Sequence, residues 1–298
     1  MADKKANISV IAAGVLWGLI TIFIKKLSSA GLDALQISAI RLCISAPVFL
    51  AFILITDRSK IKIKLRDIWM FVCTGIVSVV LFNTCYFYTM IHSQASVAVV
   101  LLYTSPVFIM ILSAVFFKER ITARKICALL LTVGGCCLAA GITQGFTISP
   151  FIFLTGLASG LFYGLYTIFG RIALNKYDTR TVTLYTFLLG MPGSMPTGKI
   201  PSTIHILSGE PALIFWCVGI AVVSTVLPYF LYTTGLKKTE SGKAAVLVAV
   251  EPVVGAVLGM AVYGEPCYAA KLAGITAIIA AIIILNTGNN QNTSEAET

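Results

Sequence analysis

Glu251 and Pro252 stand side by side in a stretch, residues 243–266, that is apolar enough to span a bilayer. A carboxylate at bilayer depth costs about 2.5–3.5 kcal/mol on insertion scales, so such a residue is expected to face a protein or water-filled interior. Proline removes one helix hydrogen bond and frees a carbonyl one turn back. Gly255 and Gly259 follow on the face of Glu251, at i+4 and i+8, where another backbone could approach closely. A carboxyl group in this setting can carry a proton or orient a charged substrate. It can also simply support the kink at Pro252.

Arg41 is the other fully charged residue deep in a span. At 1.5 Å per residue it lies about 10 Å from the outer end of its span, and Glu251 about 12 Å from the inner end of its own. In a hydrocarbon core about 30 Å thick, the two depths then differ by less than about 10 Å. Arg41 has several roles open to it: a pair with Glu251, a substrate carboxylate, bonds to backbone carbonyls, or a purely structural place. Aromatic residues complete the candidate set. Gly14, Trp17, Gly18 and Thr21 share one helical face, and Gly160, Tyr163, Gly164 and Thr167 repeat it. Helix packing accounts for the glycines, whereas Trp17 and Tyr163 offer a flat apolar surface with a polar tip that needs a partner. Asn83 and Tyr86 lie one turn apart, as do Tyr229 and Tyr232, and Tyr103 sits one turn before Pro106. Aromatic walls of this kind hold a cation by its attraction to ring faces, or an apolar side chain by contact area. Tyr88, Tyr185 and Tyr263 read instead as interfacial belt residues. Glu119 and Glu265 fall at span ends near Arg120, Lys125 and Lys271, where solvated ion pairing is expected. No catalytic signature competes: H-E-x-x-H, G-x-x-x-x-G-K-[ST] and G-x-S-x-G are all missing from the sequence.

These residues sit in a chain of 298 residues that is 58% hydrophobic and only 11% charged, with mean hydropathy +0.93. A soluble domain is nearer a quarter charged. Apolar runs of about 20 residues recur throughout, and unbroken runs exclude a β-barrel, whose strands alternate. The reading is an all-α, polytopic membrane protein with ten spans, at about 8–24, 34–56, 68–91, 95–117, 126–142, 150–170, 181–195, 213–235, 244–262 and 268–286. With the N-terminus inside, 17 Lys and Arg residues fall on inside segments. They are Lys4, Lys5, Arg58, Lys60, Lys62, Lys64, Arg66, Lys118, Arg120, Arg124, Lys125, Arg171, Lys176, Arg180, Lys237, Lys238 and Lys243. Only four, Lys25, Lys26, Lys199 and Lys271, fall outside. This asymmetry places both termini in the cytoplasm, and it accounts for the net charge of +10 without nucleic acid. The eight cysteines form no C-x-x-C pair and read as small apolar residues. The leading residues run straight into the first span, which is expected to serve as its own insertion signal.

One register of 146 residues relates the two halves. Gly14–Lys25, GVLWGLITIFIK, matches Gly160–Arg171, GLFYGLYTIFGR, and the same shift carries Tyr86 to Tyr232, Ala98 to Ala244, Pro106 to Pro252, Glu119 to Glu265 and Lys125 to Lys271. Five spans per half is an odd number, so the second half enters the membrane from the opposite side. This is the inverted-topology repeat of many secondary transporters. The expected units are residues 1–146 and 147–288, each a five-helix repeat, followed by a disordered polar tail at 289–298. Pro106 and Pro252 are the expected kink or gating positions.

The G-x-x-W-G of the first span (Gly14, Trp17, Gly18), an Arg in the second (Arg41) and the two Pro-then-Glu segments resemble the drug/metabolite transporter superfamily, specifically its EamA-type members. The resemblance covers nearly the whole chain. It implies a basket-like bundle whose central cavity is lined mainly by the first, third, fourth, sixth, eighth and ninth spans, with the fifth and tenth packed peripherally or at an oligomer contact. The expected function is secondary active transport of small metabolites or amino acids across the cell (inner) membrane by alternating access. Export is weighed above import, and proton coupling is tied to Glu251. A carrier for cationic drugs or quaternary amines is the alternative within transport; a membrane enzyme or a structural membrane protein is the alternative of another class. No cofactor is expected, and the partners are a small-molecule substrate, the bilayer and protons, in a monomer or weak homodimer.

Overall fold

The computed structural model describes residues 2–93, 95–140 and 149–287, and among these the chain is all helical. The principal helices in chain order are α1 Lys4–Ser29, α2 Ala34–Thr56, α3 Leu65–His92, α4 Ser96–Phe117 and α5 Ala123–Ala139, then α6 Pro150–Leu174, α7 Thr179–Ser194, α8 Leu213–Leu236, α9 Ser241–Tyr263 and α10 Ala269–Asn286. Among the described residues eight are long and apolar enough to cross a membrane. α5 and α7, at 17 and 16 residues, are shorter. The expected polar tail at 289–298 and the boundary at 146/147 lie outside the described residues.

Local chemistry sets the helix ends. Asp33 opens α2 with a reciprocal capping box to Gln36, and Thr122, Ser149 and Asp178 each cap a helix start with a side-chain oxygen. Pro192 lies in the last turn of α7, and the stretch after it, with Pro196 and Pro201, forms a short helix at Ile200–Gly209 that the sequence placed in a loop. That helix rests on the start of α2 through Gln36 Nε2 to Thr203 Oγ1 at 2.9 Å and Lys199 to Asp33 at 2.9 Å.

The bundle has two distinct ends. At one end Asn7 donates to Asn286 at 3.1 Å, Lys176 and Tyr177 bind Asp67, and Lys125 pairs with Glu240. This is the end that carries most of the basic residues and both outermost helix ends. At the other end lie Lys25, Glu265, Lys271, Asp33 and Lys199. The largest core runs between α1, α2, α3, α6, α7, α8 and α9, with Phe49 against Phe187 and Trp17 against Tyr229. α5 and α10 pack on each other at the periphery. A Cβ on Gly135 would come within 2.8 Å of the Gly274 carbonyl, so only glycine allows this approach.

Candidate functional site

Two helices are broken at related places. α4 is interrupted at Tyr103–Thr104 and α9 at Val248–Ala249, each just before its proline. Pro252 has no N–H for the Val248 carbonyl, which instead accepts from Glu251 N at 3.0 Å. Each break is clasped by a glycine face. A Cβ on Gly14 of α1 would meet the Val248 carbonyl at 2.6 Å, and one on Gly160 of α6 would meet the Leu101 and Leu102 carbonyls at 2.8 and 3.2 Å. One turn on, Gly18 lies against the Glu251 carbonyl and Gly164 against that of Ser105. All four contacts obey the 146 register. The glycines are thus packing residues. The other glycine expectation is corrected in part: Gly255 lies open to Thr21, but the face at Gly259 is covered by the side chain of Glu265, not by another backbone.

Between the clasps lies a cavity lined by Trp17, Ser78, Tyr163, Tyr166, Thr167, Tyr229 and Tyr232. Trp17 stands edge-on to Tyr229 at 5.2 Å and tilted against Tyr232 at 5.5 Å, and Tyr166 stands edge-on to Tyr229 at 5.1 Å. Tyr166 and Tyr232 settle their hydroxyls on Thr233 and Thr167, both at 2.7 Å. Among the described residues, the Tyr229 hydroxyl and the Trp17 indole N–H have no protein partner, and the only enclosed polar side-chain atom without one is Thr183 Oγ1. Those two groups therefore face the cavity with hydrogen-bonding capacity to spare.

Glu251 adjoins this cavity through Tyr163, whose hydroxyl donates to Glu251 Oε2 at 3.4 Å. Arg41, Tyr86, Tyr103 and Tyr229 also lie within electrostatic range of its carboxylate. Arg41 does not pair with it directly: its Nε donates to Thr225 Oγ1 at 3.1 Å, one turn before Tyr229. Thus Trp17, Tyr163, Tyr229 and Tyr232 line the cavity, whereas Arg41, Tyr86, Tyr103 and Glu251 are not among its lining residues. Tyr86 packs on Phe82 and Phe87, and Phe82 in turn packs on Tyr163. Tyr103 packs toward Cys136, Ala249, Val253 and Ile278. Asn83 stands apart, because its amide donates to the Val79 carbonyl of its own helix at 2.7 Å.

The sequence reading missed Ser78 and Tyr166, and it missed the backbone around Ser78. α3 widens to a π-helix over Cys73–Leu81, and α8 does the same over Val222–Val226, which overlaps it in the 146 register. Hydroxyls fill the widened turns: Ser78 donates to the Cys73 carbonyl at 2.7 Å, and Thr225 to the Ile220 carbonyl at 3.0 Å. Such bulges cluster at functional sites. The signal available was the pair Ser78 and Ser224, 146 residues apart. Glu119 is a further correction. Its side chain is only 7% exposed, and it pairs with Arg171, not with solvated neighbours.

Comparison with known proteins places this geometry. An uncharacterized transporter of Archaeoglobus fulgidus is 28% identical over 90% of this chain and 94% of its own. The pseudopaline exporter CntI of Pseudomonas aeruginosa is 25% identical over 95% and 96%. The inner membrane transporter YicL of Salmonella typhimurium is 22% identical over 99% of both chains. A solved crystal structure superposes with a TM-score of 0.76 at 19% identity, covering 94% of this chain and 96% of that one, which is a likeness of fold. The model of the EamA-like transporter family matches residues 4–141 and again 150–287, on either side of the 146-residue register, so the chain is a multi-pass membrane transporter that belongs to the EamA-like transporter family.

Proposed function

We propose that this transporter moves a small amphipathic metabolite or amino acid by alternating access, driven by a gradient. The observation that carries the reading is the ring of aromatic residues around the cavity, held between two broken helices with one carboxylate beside it; the cavity of about 20 Å³ has room for a water here, so the cage must open to admit substrate. Broken helices near the bilayer midplane are where secondary transporters bind their substrates. In this reading α5 and α7 also cross, which gives ten spans in two inverted halves. Their 17 and 16 residues amount to about 26 and 24 Å of helix, near the thickness of the core. The termini lie in the cytoplasm, in keeping with the crowding of basic residues at their end of the bundle. Export is the favoured direction, in keeping with a relative named as an exporter.

Substrate packs against the rings of Trp17 and Tyr229 as the cage opens, their free polar tips orient it, and Glu251 takes its cationic group or exchanges a proton. The cage suits a cation as well as an amphipathic side chain, because ring faces attract positive charge. A quaternary amine is therefore the second reading. The deciding experiment is uptake into proteoliposomes over a metabolite panel that includes quaternary amines, with and without a pH gradient. Glu251→Gln keeps shape and hydrogen bonding but cannot ionise. It should abolish pH-driven accumulation while leaving exchange of bound substrate partly intact. An unchanged pH response would reduce Glu251 to a support for the Pro252 kink. Trp17→Ala should lose uptake at least about tenfold through the loss of ring contact.

A further inference from the structure

We infer that Glu119 and Glu265 are the gate residues of the transport cycle, each closing one end of the cavity by pairing with the basic residue at the end of a clasp helix. The inference rests on the alternating-access reading above. It starts from a set of contacts that occurs twice, 146 residues apart. At the basic end, Arg171 at the foot of α6 donates to Glu119 Oε1 at 2.8 Å and lies over the Phe117 ring at 5.2 Å. At the other end, Lys25 near the close of α1 donates to Glu265 Oε1 at 3.3 Å and lies over the Tyr263 ring at 3.6 Å. Acid, base and ring all correspond: Glu119 to Glu265, Arg171 to Lys25, Phe117 to Tyr263.

The two sets differ in how tightly they are closed. Glu119 also accepts from Ser241 N at 2.7 Å and Gly242 N at 3.1 Å, so it caps the start of α9. The same Arg171 Nη1 also donates to the Thr239 carbonyl and to Ser241 Oγ, both at 3.1 Å. One carboxylate thereby ties together the ends of α4, α6 and α9. Its side chain is 7% exposed and that of Arg171 27%. Glu265 and Lys25 are 43% and 47% exposed, and Glu265 is shared with Lys271 at 3.0 Å. The neighbouring backbone agrees. Every residue of 241–249 is buried, whereas in the related part of α4 Ser96, Val99, Val100 and Tyr103 are partly exposed. Two ends built from corresponding residues are thus one closed and one loosened.

A closed basic end cannot open without parting Glu119 from Arg171 and from the start of α9. A carboxylate held by charge-assisted bonds is a strong hold, and its loss shifts an equilibrium about tenfold or more. By the same register, closing the far end would bring Glu265 into the buried setting that Glu119 has here. Simple topology-setting charges do not require a buried partner, a capped helix start and a repeat of the whole set.

The test follows the accessibility of the cavity. A single cysteine at Ser78, in a full-length chain whose native cysteines are replaced and which still transports, is reconstituted in liposomes. It is labelled with a membrane-impermeant maleimide from each side. Glu119→Gln should raise labelling from the basic end at least about tenfold, and Glu265→Gln should lower it and raise labelling from the far end. Arg171→Lys, which keeps the charge, should stay closer to the parent than Glu119→Gln. Since Glu265 is half exposed, Glu265→Gln carries the test even where Glu119→Gln fails to fold. Shifts in one common direction, or none, overturn the gate assignment. Alternate labelling that follows the substrate gradient yet ignores both substitutions overturns the gates and leaves alternating access standing. Labelling from one side alone under every gradient overturns both.

Discussion

Alanine at Gly160 would place its Cβ 2.7 Å from Thr104 Oγ1 and 2.8 Å from the Leu101 carbonyl. Neither distance is tolerated, and the second involves backbone, so α6 must move off the break in α4. Overpacking of this kind costs about 1–3 kcal/mol. Gly14→Ala meets the Val248 carbonyl at 2.6 Å and should cost as much. Gly164→Ala meets the Ile109 side chain at 3.0 Å, which can turn aside, so its cost should fall below about 1 kcal/mol. Gly134→Ala meets nothing within 4 Å and should gain up to about 1 kcal/mol from helix propensity. At about 2–4 °C per kcal/mol, Gly14→Ala and Gly160→Ala should melt about 2–12 °C lower than the parent, and Gly134→Ala slightly higher. The assay is thermal unfolding of the four purified variants in one detergent, followed by loss of the monodisperse chromatographic peak. A Gly160→Ala midpoint equal to that of Gly134→Ala would refute the claim that these glycines clasp the breaks.

Three further outcomes are expected. Lys118 ends α4 at φ 56, where its counterpart Gly264 ends α9 at φ 63, so Lys118→Gly should stabilise by about 0.5–1 kcal/mol in the same melting assay. Thr183 Oγ1 is enclosed without a partner among the described residues, so the isosteric Thr183→Val should raise the midpoint by about 1 kcal/mol worth of stability. Hydrogen bonding from Lys271, joined by Lys25, holds the Glu265 carboxyl below its ordinary value against the opposing effect of burial. A depressed carboxyl gives its stabilisation above its unfolded pKa and loses it as pH falls through the folded value. The melting difference between wild type and Glu265→Gln should therefore be flat from pH 8 to about 5 and vanish only below about pH 4, and a difference already lost at pH 6 would contradict this.

Class, helix content and the two-part pattern were legible because they rest on quantities that survive without coordinates: apolar runs and a fixed register. Inner detail was not. In spans that are apolar on nearly every face, hydrophobic periodicity cannot tell which face meets protein and which meets lipid. Tyr86 and Tyr103 therefore read like Tyr229 and Tyr232, although only the latter two reach the cavity lining. Asn83 read as a site residue because it lies one turn from Tyr86, whereas its amide donates to the Val79 carbonyl of its own helix. The prolines announced that α4 and α9 would be disturbed. They did not announce that Gly14 and Gly160 would close on the breaks, since that depends on which helix crosses which. The π-helical turns of α3 and α8 carry no proline of their own in α3 and left no mark in hydropathy. Glu119 was misread for a related reason: its partner Arg171 lies 52 residues away, and nothing local points to it.

The register also shows where the two halves part company. The clasps, the breaks and the charged pairs at the ends correspond, whereas the position of Glu251 is held in the first half by Ser105, which is buried at 1% exposure against α6. Arg41 likewise corresponds to Phe187, a fully buried core residue. The clasps, breaks and end pairs are therefore duplicated, and the two deep charged residues are not. In the proposed cycle a scaffold with matched halves adopts two equivalent openings, since each clasp and each charged pair at the ends has a counterpart in the other half. In that proposed cycle a single carboxylate and a single guanidinium would serve both openings, which favours a place near the plane where the halves meet. Glu251 sits at the break of α9, one hydroxyl away from the cavity through Tyr163, and Arg41 bonds Thr225, one turn before Tyr229. In the proposed alternating-access cycle, duplication supplies the two openings, and the departures from it supply the polarity of the proposed substrate site.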